Sequence, residues 1–115
     1  MSNKFEFLGR VMFHYAKKFE DMKSDEEIKT NNFIKKDLDD NAEKATELAR
    51  QLLQIQTNNT ITDNNAFIKS AVKVYLNDLK NSKDALIEKL KENQMSDYYL
   101  NNLNDEIKQA EGWLE

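Results

Sequence analysis

The sequence predicts an all-α protein: an antiparallel helical bundle of about four helices with a long central helical hairpin. Its 115 residues include no Pro and only two Gly, Gly9 and Gly112, the residue types that most often break helices and form turns. No Asn is followed by Gly, so the commonest hairpin turn of β proteins is absent from the sequence. Apolar residues instead recur at helical spacing along most of the chain. The length suits a single domain, 1–115.

The first predicted helix runs from about Asn3 to Lys23. Its apolar side chains fall in one stripe when each residue is turned by about 100° from the last. The stripe contains Phe5, Leu8, Val11, Met12, Tyr15, Ala16, Phe19 and Met22. Gly9 borders this stripe, which favours a close approach of a neighbouring helix. Because a glycine inside a helix costs about 1 kcal/mol, this segment is expected to depend on tertiary packing.

The second predicted helix begins at Ser24 and ends near Gln56. Ser24 and Glu27 have the spacing of a capping box, in which each side chain can bond the backbone amide of the other. An apolar stripe continues from Ile28 to Leu53. The polar residues 57–60 then predict a connection between helices.

Two further helices complete the predicted bundle. The third starts with Thr62 or Asp63 as its cap, and it either runs unbroken to about Asn93 or breaks near Ser82, where an apolar seam residue would be expected. The fourth follows the plausible cap at 96–97 and ends next to the C-terminus at Leu114.

The predicted helices have unequal lengths, with two of about 20 residues flanking two of about 30, or roughly 30 Å against 45 Å. The shorter helices would then leave the tip of the central hairpin uncovered. That tip carries Leu52, Leu53, Ile55, Ile61, Phe67, Ile68 and Ala71. A monomer seldom exposes so many large apolar groups together. Either the tip binds another protein or another copy of the chain, or the long helices break near 39–41 and 81–82 and fold back.

Under the first alternative, the candidate oligomer interface consists of four of these tip residues: Leu52, Ile55, Ile61 and Phe67. Aromatic residues outside the helix stripes form a second candidate surface. Phe13 lies about 140° from the centre of its stripe, between Arg10 and Lys17, and Phe33 and Tyr98 are similarly displaced. Exposed aromatics flanked by charges are common anchors of protein interfaces. The alternative is that they broaden the core.

The sequence offers no catalytic or cofactor-binding motif. It contains no Cys, which excludes thiolate metal sites, disulfides and Cys nucleophiles. Its one histidine, His14, has no Glu-x-x-His partner pattern, and residues 37–41 lack the glycine that a calcium loop needs. We therefore expect a non-enzymatic protein without metal or cofactor.

The net charge of −4, with acidic and basic residues mixed along the chain, disfavours nucleic-acid binding. No apolar run reaches the length of a membrane span, and the N-terminus lacks the pattern of a signal peptide, so a cytoplasmic location without membrane contact is expected.

These observations favour a protein-binding bundle that acts by covering a surface on a partner, which the chain's acidity suggests is basic. Toxin-neutralising immunity proteins and phage inhibitors of host defences are often acidic, Cys-free chains of this size. This is an analogy to a class of proteins, and no sequence motif supports it. One alternative is a self-associating structural protein, such as a homodimer. Another is a sensor that binds a small molecule or nucleotide through Tyr15, Tyr75 or Tyr99 with a nearby Lys.

Overall fold

The structure, a computed structural model, confirms the all-α class. It describes the backbone of residues 3–93 and 98–114 and the side chains of residues 3–89 and 99–114. The described residues form six helices and no strand. They are α1 (Lys4–Met22), α2 (Glu26–Lys29), α3 (Asn32–Gln54), α4 (Asn58–Asp63), α5 (Asn65–Asn93) and α6 (Tyr98–Leu114). The predicted helical bundle is confirmed, but the described residues form six helices and not about four.

Helix α1 matches its prediction to within one residue at each end. Asn3 is its N-cap, and the Asn3 side chain accepts a hydrogen bond of 2.8 Å from the amide of Glu6. This bond satisfies one of the amides that a helix start leaves without a partner in the helix. The cap and the apolar stripe therefore specify this helix together.

The predicted second helix is in fact two helices, and Ser24 is not its cap. Asp25 caps the single turn α2 by accepting from the amide of Glu27, at 2.9 Å. Asn31 then caps α3, because its side-chain oxygen accepts from the amides of Phe33 and Ile34, both at 3.1 Å. A side chain that bonds nearby amides competes with a continuous helix. The break therefore falls at 30–31, and α3 is continuous through 39–41.

Removing the Asn31 cap is expected to weaken the start of α3. Asn31→Ala should lower the free energy of unfolding by about 1 kcal/mol, because two backbone amides lose their acceptor. Urea titration followed by circular dichroism measures this change. Asn32→Ala alters an exposed asparagine one residue further on and should change stability by less than about 0.5 kcal/mol. Equal losses from both variants would show that Asn31 is not the cap.

The predicted connection at 57–60 was also wrong, since α4 occupies most of it. Gln56, two residues after the end of α3, has a φ of 53°, a left-handed conformation common just past a helix end. Thr62 and Asp63 lie in the last turn of α4, so neither caps the next helix. Helix α5 runs unbroken through Ser82 to Asn93. The cap predicted at 96–97 lies outside the described residues.

The chain divides into two compact units, Met1–Ala71 and Val72–Glu115. In the first unit α1 packs along α3. Its buried apolar side chains are Phe7, Leu8, Val11, Met12, Ala16, Leu38, Ala42, Ala45, Leu48, Ala49, Leu52, Ile61, Ile68 and Ala71. The second unit contains most of α5 and all of α6, and Val72, Ile107 and Ala110 are buried among its described apolar side chains. A single domain over 1–115 stays a prediction.

Gly9 lies in close contact with α3, as its position beside the stripe predicted. A Cβ atom built on Gly9 would lie 2.7 Å from both Cγ and Cδ2 of Leu53. The facing side of α3 carries the small buried residues Ala42, Ala45 and Ala49. Small side chains on both helices therefore bring the two backbones together, and the α1 glycine is explained by packing.

Candidate binding surfaces

Phe13 lies on an exposed face of α1, outside the core stripe. Its side chain is 46% exposed, and both Arg10 and Lys17 are exposed. Residues three before and four after Phe13 share its side of the helix. The guanidinium of Arg10 also lies 5.8 Å from the ring centre of the buried Phe7, which helps to orient it. Phe13 is thus an aromatic group between two cations, and its role in binding stays a prediction.

Phe33 is the most exposed large apolar residue among the described side chains. It is 82% exposed at the start of α3, where the Asn31 cap fixes its backbone. Its neighbour Ile34 is 39% exposed, and Met22 at the end of α1 is 45% exposed. These three residues lie where α1 ends and α3 begins, and we call this region the Phe33 end. The helix packing of the first unit leaves it open to solvent.

A solvent-exposed ion pair links α1 to α3 near the Phe33 end. The Lys23 ammonium, just after α1, donates to Asp39 on α3, and it lies 2.9 Å from Glu20. The hydrogen bond to Asp39, followed by that to Glu20, raises the pKa of Lys23 above its usual value. Lys23 therefore keeps its charge at neutral pH and joins the last turn of α1 to α3.

The predicted hairpin tip is only partly exposed, because α1 reaches it. The Lys4 ammonium donates to the side chain of Asn58 at 2.6 Å, so the start of α1 lies beside the start of α4. Leu52 is 0% and Ile61 is 9% exposed, which places these two predicted interface residues in the core. Ile55 remains 59% exposed. Self-association through this tip stays a prediction, supported by fewer residues than the sequence suggested.

Phe67, the fourth predicted tip residue, is half-buried by aromatic and cationic neighbours. Its ring centre lies 5.4 Å from that of Tyr15, in an edge-on arrangement, and 4.5 Å from the ammonium of Lys44. Tyr15 also packs against Phe19 in a tilted arrangement, with the ring centres 4.4 Å apart. Burial raises the pKa of the Tyr15 hydroxyl, so the phenol stays neutral. This cluster joins α1, α3 and the first turn of α5, and it accounts for Tyr15 without a ligand.

The second unit contains an open apolar groove between α5 and α6, with a volume of about 590 Å³. Its lining includes Leu79, Leu86, Leu103, Tyr75, Tyr99, Ser82, Ala85, Asn102, Glu106 and Lys89. The Tyr75 hydroxyl donates to the Glu106 carboxylate at 2.8 Å and joins the two helices. Tyr99 is 60% exposed, and the side chain of its predicted neighbour, Tyr98, lies outside the described ones.

The groove has a simple cause in the sequence of α5. Tyr75, Leu79, Ser82, Leu86 and Lys89 are spaced alternately by four and three residues, so they follow one face of the helix. Ser82 lies at the centre of this face, where the spacing predicts a large apolar residue. Ala85 beside it is also small. Leu79 and Leu86 remain half-exposed. The sequence indicated that Ser82 is too small for its place in the apolar pattern. It did not indicate that Ser82 lies opposite α6.

The described part of the chain carries neither a cluster of metal ligands nor a helix that could span a membrane. Among the described side chains, those of residues 3–89 and 99–114, no three His, Cys, Asp or Glu come together in a way that could hold a metal ion. No helix over the same residues is long and apolar enough to cross a membrane. Comparison with protein-family models, with curated proteins and with solved structures gives no match for this chain.

Proposed function

We propose that this chain is a non-enzymatic binding protein that covers a surface on another protein through the Phe33 end. The observation that carries the proposal is the 82% exposure of Phe33, a side chain with no polar atoms, on a helix start that a cap holds in place. Ile34 and Met22 are further exposed apolar residues at the Phe33 end. A cytoplasmic location and an inhibitory role of the immunity or anti-defence type are part of this proposal.

A partner that covers the Phe33 end gains free energy from the burial of apolar side chains. Moving one large apolar side chain from water into an interface is worth about 1.5–3 kcal/mol. Rigid aromatic anchors lose little conformational freedom when they bind, and they dominate many interfaces. Phe13, 46% exposed on α1, supplies a second anchor on the same unit.

In this proposal the charge of the chain affects the partner both at long range and at the contact itself. The net charge of −4 attracts a basic partner at long range and increases the association rate. Beside Phe13, however, the exposed groups are Arg10 and Lys17. We therefore expect acidic side chains on the partner at that contact, within a surface that is basic elsewhere.

The test uses Phe33→Asp and a control matched for charge. Wild-type protein is used to capture a partner from extracts of its source organism, and the purified partner is then titrated calorimetrically. Phe33→Asp should weaken binding by about 30-fold or more, the effect of losing one anchor of about 2 kcal/mol. Asn32→Asp adds the same charge one residue away and keeps the ring, so it should bind within a few-fold of wild type.

Both variants should retain the helical circular dichroism and the melting temperature of the wild type, because both positions are exposed. Equal affinity of wild type and Phe33→Asp for the purified partner would overturn the proposal. An equal loss from Asn32→Asp would show that charge, and not the aromatic ring, controls binding.

A further inference from the structure

From the groove of the second unit we infer that two copies of the chain associate through their α5 helices. The groove exposes an apolar face that a pair of helices cannot bury alone: Leu79 and Leu86 on α5 and Leu103 on α6 are all half-exposed. Two helical hairpins that cover each other's open faces form a four-helix bundle, a common way to bury such surfaces. The following features of α5 select a second copy as the occupant.

The open face of α5 has the spacing of a coiled-coil seam, which consists of Tyr75, Leu79, Ser82, Leu86 and Lys89. In an antiparallel pair centred near residues 80–82, Leu79 of one copy lies beside Ser82 of the other, and Tyr75 lies beside Leu86. Each large residue then faces a smaller or differently shaped one, which is how packed layers avoid both gaps and overlap. The seam is therefore complementary to itself when it is reversed.

The length of α5 fits the same arrangement. The part of α5 that belongs to the second unit is 72–93, and Ser82 lies at its middle. An antiparallel pair centred there overlaps these two stretches from end to end. The small residues Ser82 and Ala85 allow the two helices to approach closely at the centre.

The charges of the groove are also self-complementary. Lys89 lies at one end of the α5 seam, and the Glu106 carboxylate lies at the other end beside Tyr75. Reversing one copy brings its Lys89 to within about one helical turn of Tyr75 in the second copy, where a lysine side chain can reach Glu106. The symmetry of the pair makes this contact twice, as in any two-fold interface.

The first test is the molar mass of the full chain by sedimentation equilibrium over a range of concentrations. The wild type is expected at twice its 13.5 kDa. Leu86→Asp should weaken dimerisation by about 100-fold or more, because it buries a carboxylate in the seam. Ile55→Asp changes an exposed residue of the first unit and should leave the dimer intact. A wild type that stays monomeric, as it would if the groove held a small molecule or a helix of a different protein, overturns the inference.

The second test exchanges the charges. Lys89→Glu and Glu106→Lys should each weaken dimerisation about tenfold or more, because each places like charges together. A mixture of the two variants should restore the dimer, since each charge then meets its opposite in the other chain. A charge pair confined to one chain would not give this rescue in the mixture. Failure of the mixture to associate, or undiminished dimers of both single variants, would overturn the pairing of Lys89 with Glu106.

Glu106→Gln controls for the hydrogen bond to Tyr75, since the amide oxygen still accepts from the hydroxyl. All variants are compared by circular dichroism before sedimentation. The inference does not depend on the proposed function. Leu86→Asp should abolish the dimer and leave the partner-binding Phe33 end unchanged, whereas Phe33→Asp should do the reverse.

Discussion

Replacing Phe7 by Ala is expected to lower the free energy of unfolding by about 3–5 kcal/mol. Phe7 is 0% exposed on α1, so its removal leaves a cavity as well as losing the transfer of a large ring from water. A small domain has a total stability of about 5–15 kcal/mol, and the variant should therefore be close to the limit of folding. Urea titration followed by circular dichroism measures the loss.

Phe33→Ala is the matched control for this prediction. It removes the same ring from α3, but at a position that is 82% exposed. Its stability should therefore stay within about 0.5 kcal/mol of the wild type. Comparable losses from the two variants would contradict both the core position of Phe7 and the free surface at Phe33.

The second large effect concerns the contact between Gly9 and Leu53. Alanine at position 9 would favour the helix by about 1 kcal/mol, but its Cβ would lie 2.7 Å from Leu53 Cγ. Overpacking of this kind costs about 1–3 kcal/mol. We therefore expect Gly9→Ala to destabilise the wild type and to stabilise a Leu53→Ala protein, with a coupling energy of about 2 kcal/mol.

A double-mutant cycle by urea unfolding measures this coupling. Gly112 provides the control, because a Cβ built there meets no atom within 4 Å. Gly112→Ala should stabilise the protein by up to about 1 kcal/mol in both backgrounds. If Gly9→Ala gave the same gain with and without Leu53, the close approach of α1 and α3 would be refuted.

The apolar stripe of α1 located this helix to within one residue at each end. At the second predicted helix a capping-box spacing and an apolar stripe also agreed, but the cap is Asp25 and not Ser24. The break at 30–31 was missed because the stripe from Ile28 to Ile34 reads through it, while the Asn31 side chain bonds two amides locally. Helix α4 was missed because it contains one apolar residue, Ile61, whose burial depends on distant parts of the chain.

For the candidate surfaces, the sequence predicted the exposed aromatic residues correctly but not the exposure of the hairpin tip. The displacement of Phe13 and Phe33 from their stripes indicated exposed positions, and both are exposed. Leu52 and Ile61 were expected on the surface because the predicted length of the second helix left the tip beyond the reach of α1. With α3 beginning at Asn32, α1 reaches the tip and covers both. An error of a few residues in a helix boundary thus changed the predicted interface.

The close approach at Gly9 also limits how this sequence can change over evolutionary time. A side chain at position 9 requires the Leu53 side chain to shift or position 53 to become smaller, since the two compete for the same space. Substitutions at the two positions should therefore occur together in descendants of this chain, with glycine paired to leucine and alanine paired to a small residue. Positions 9 and 53 should form a strongly covarying pair wherever homologous sequences are found.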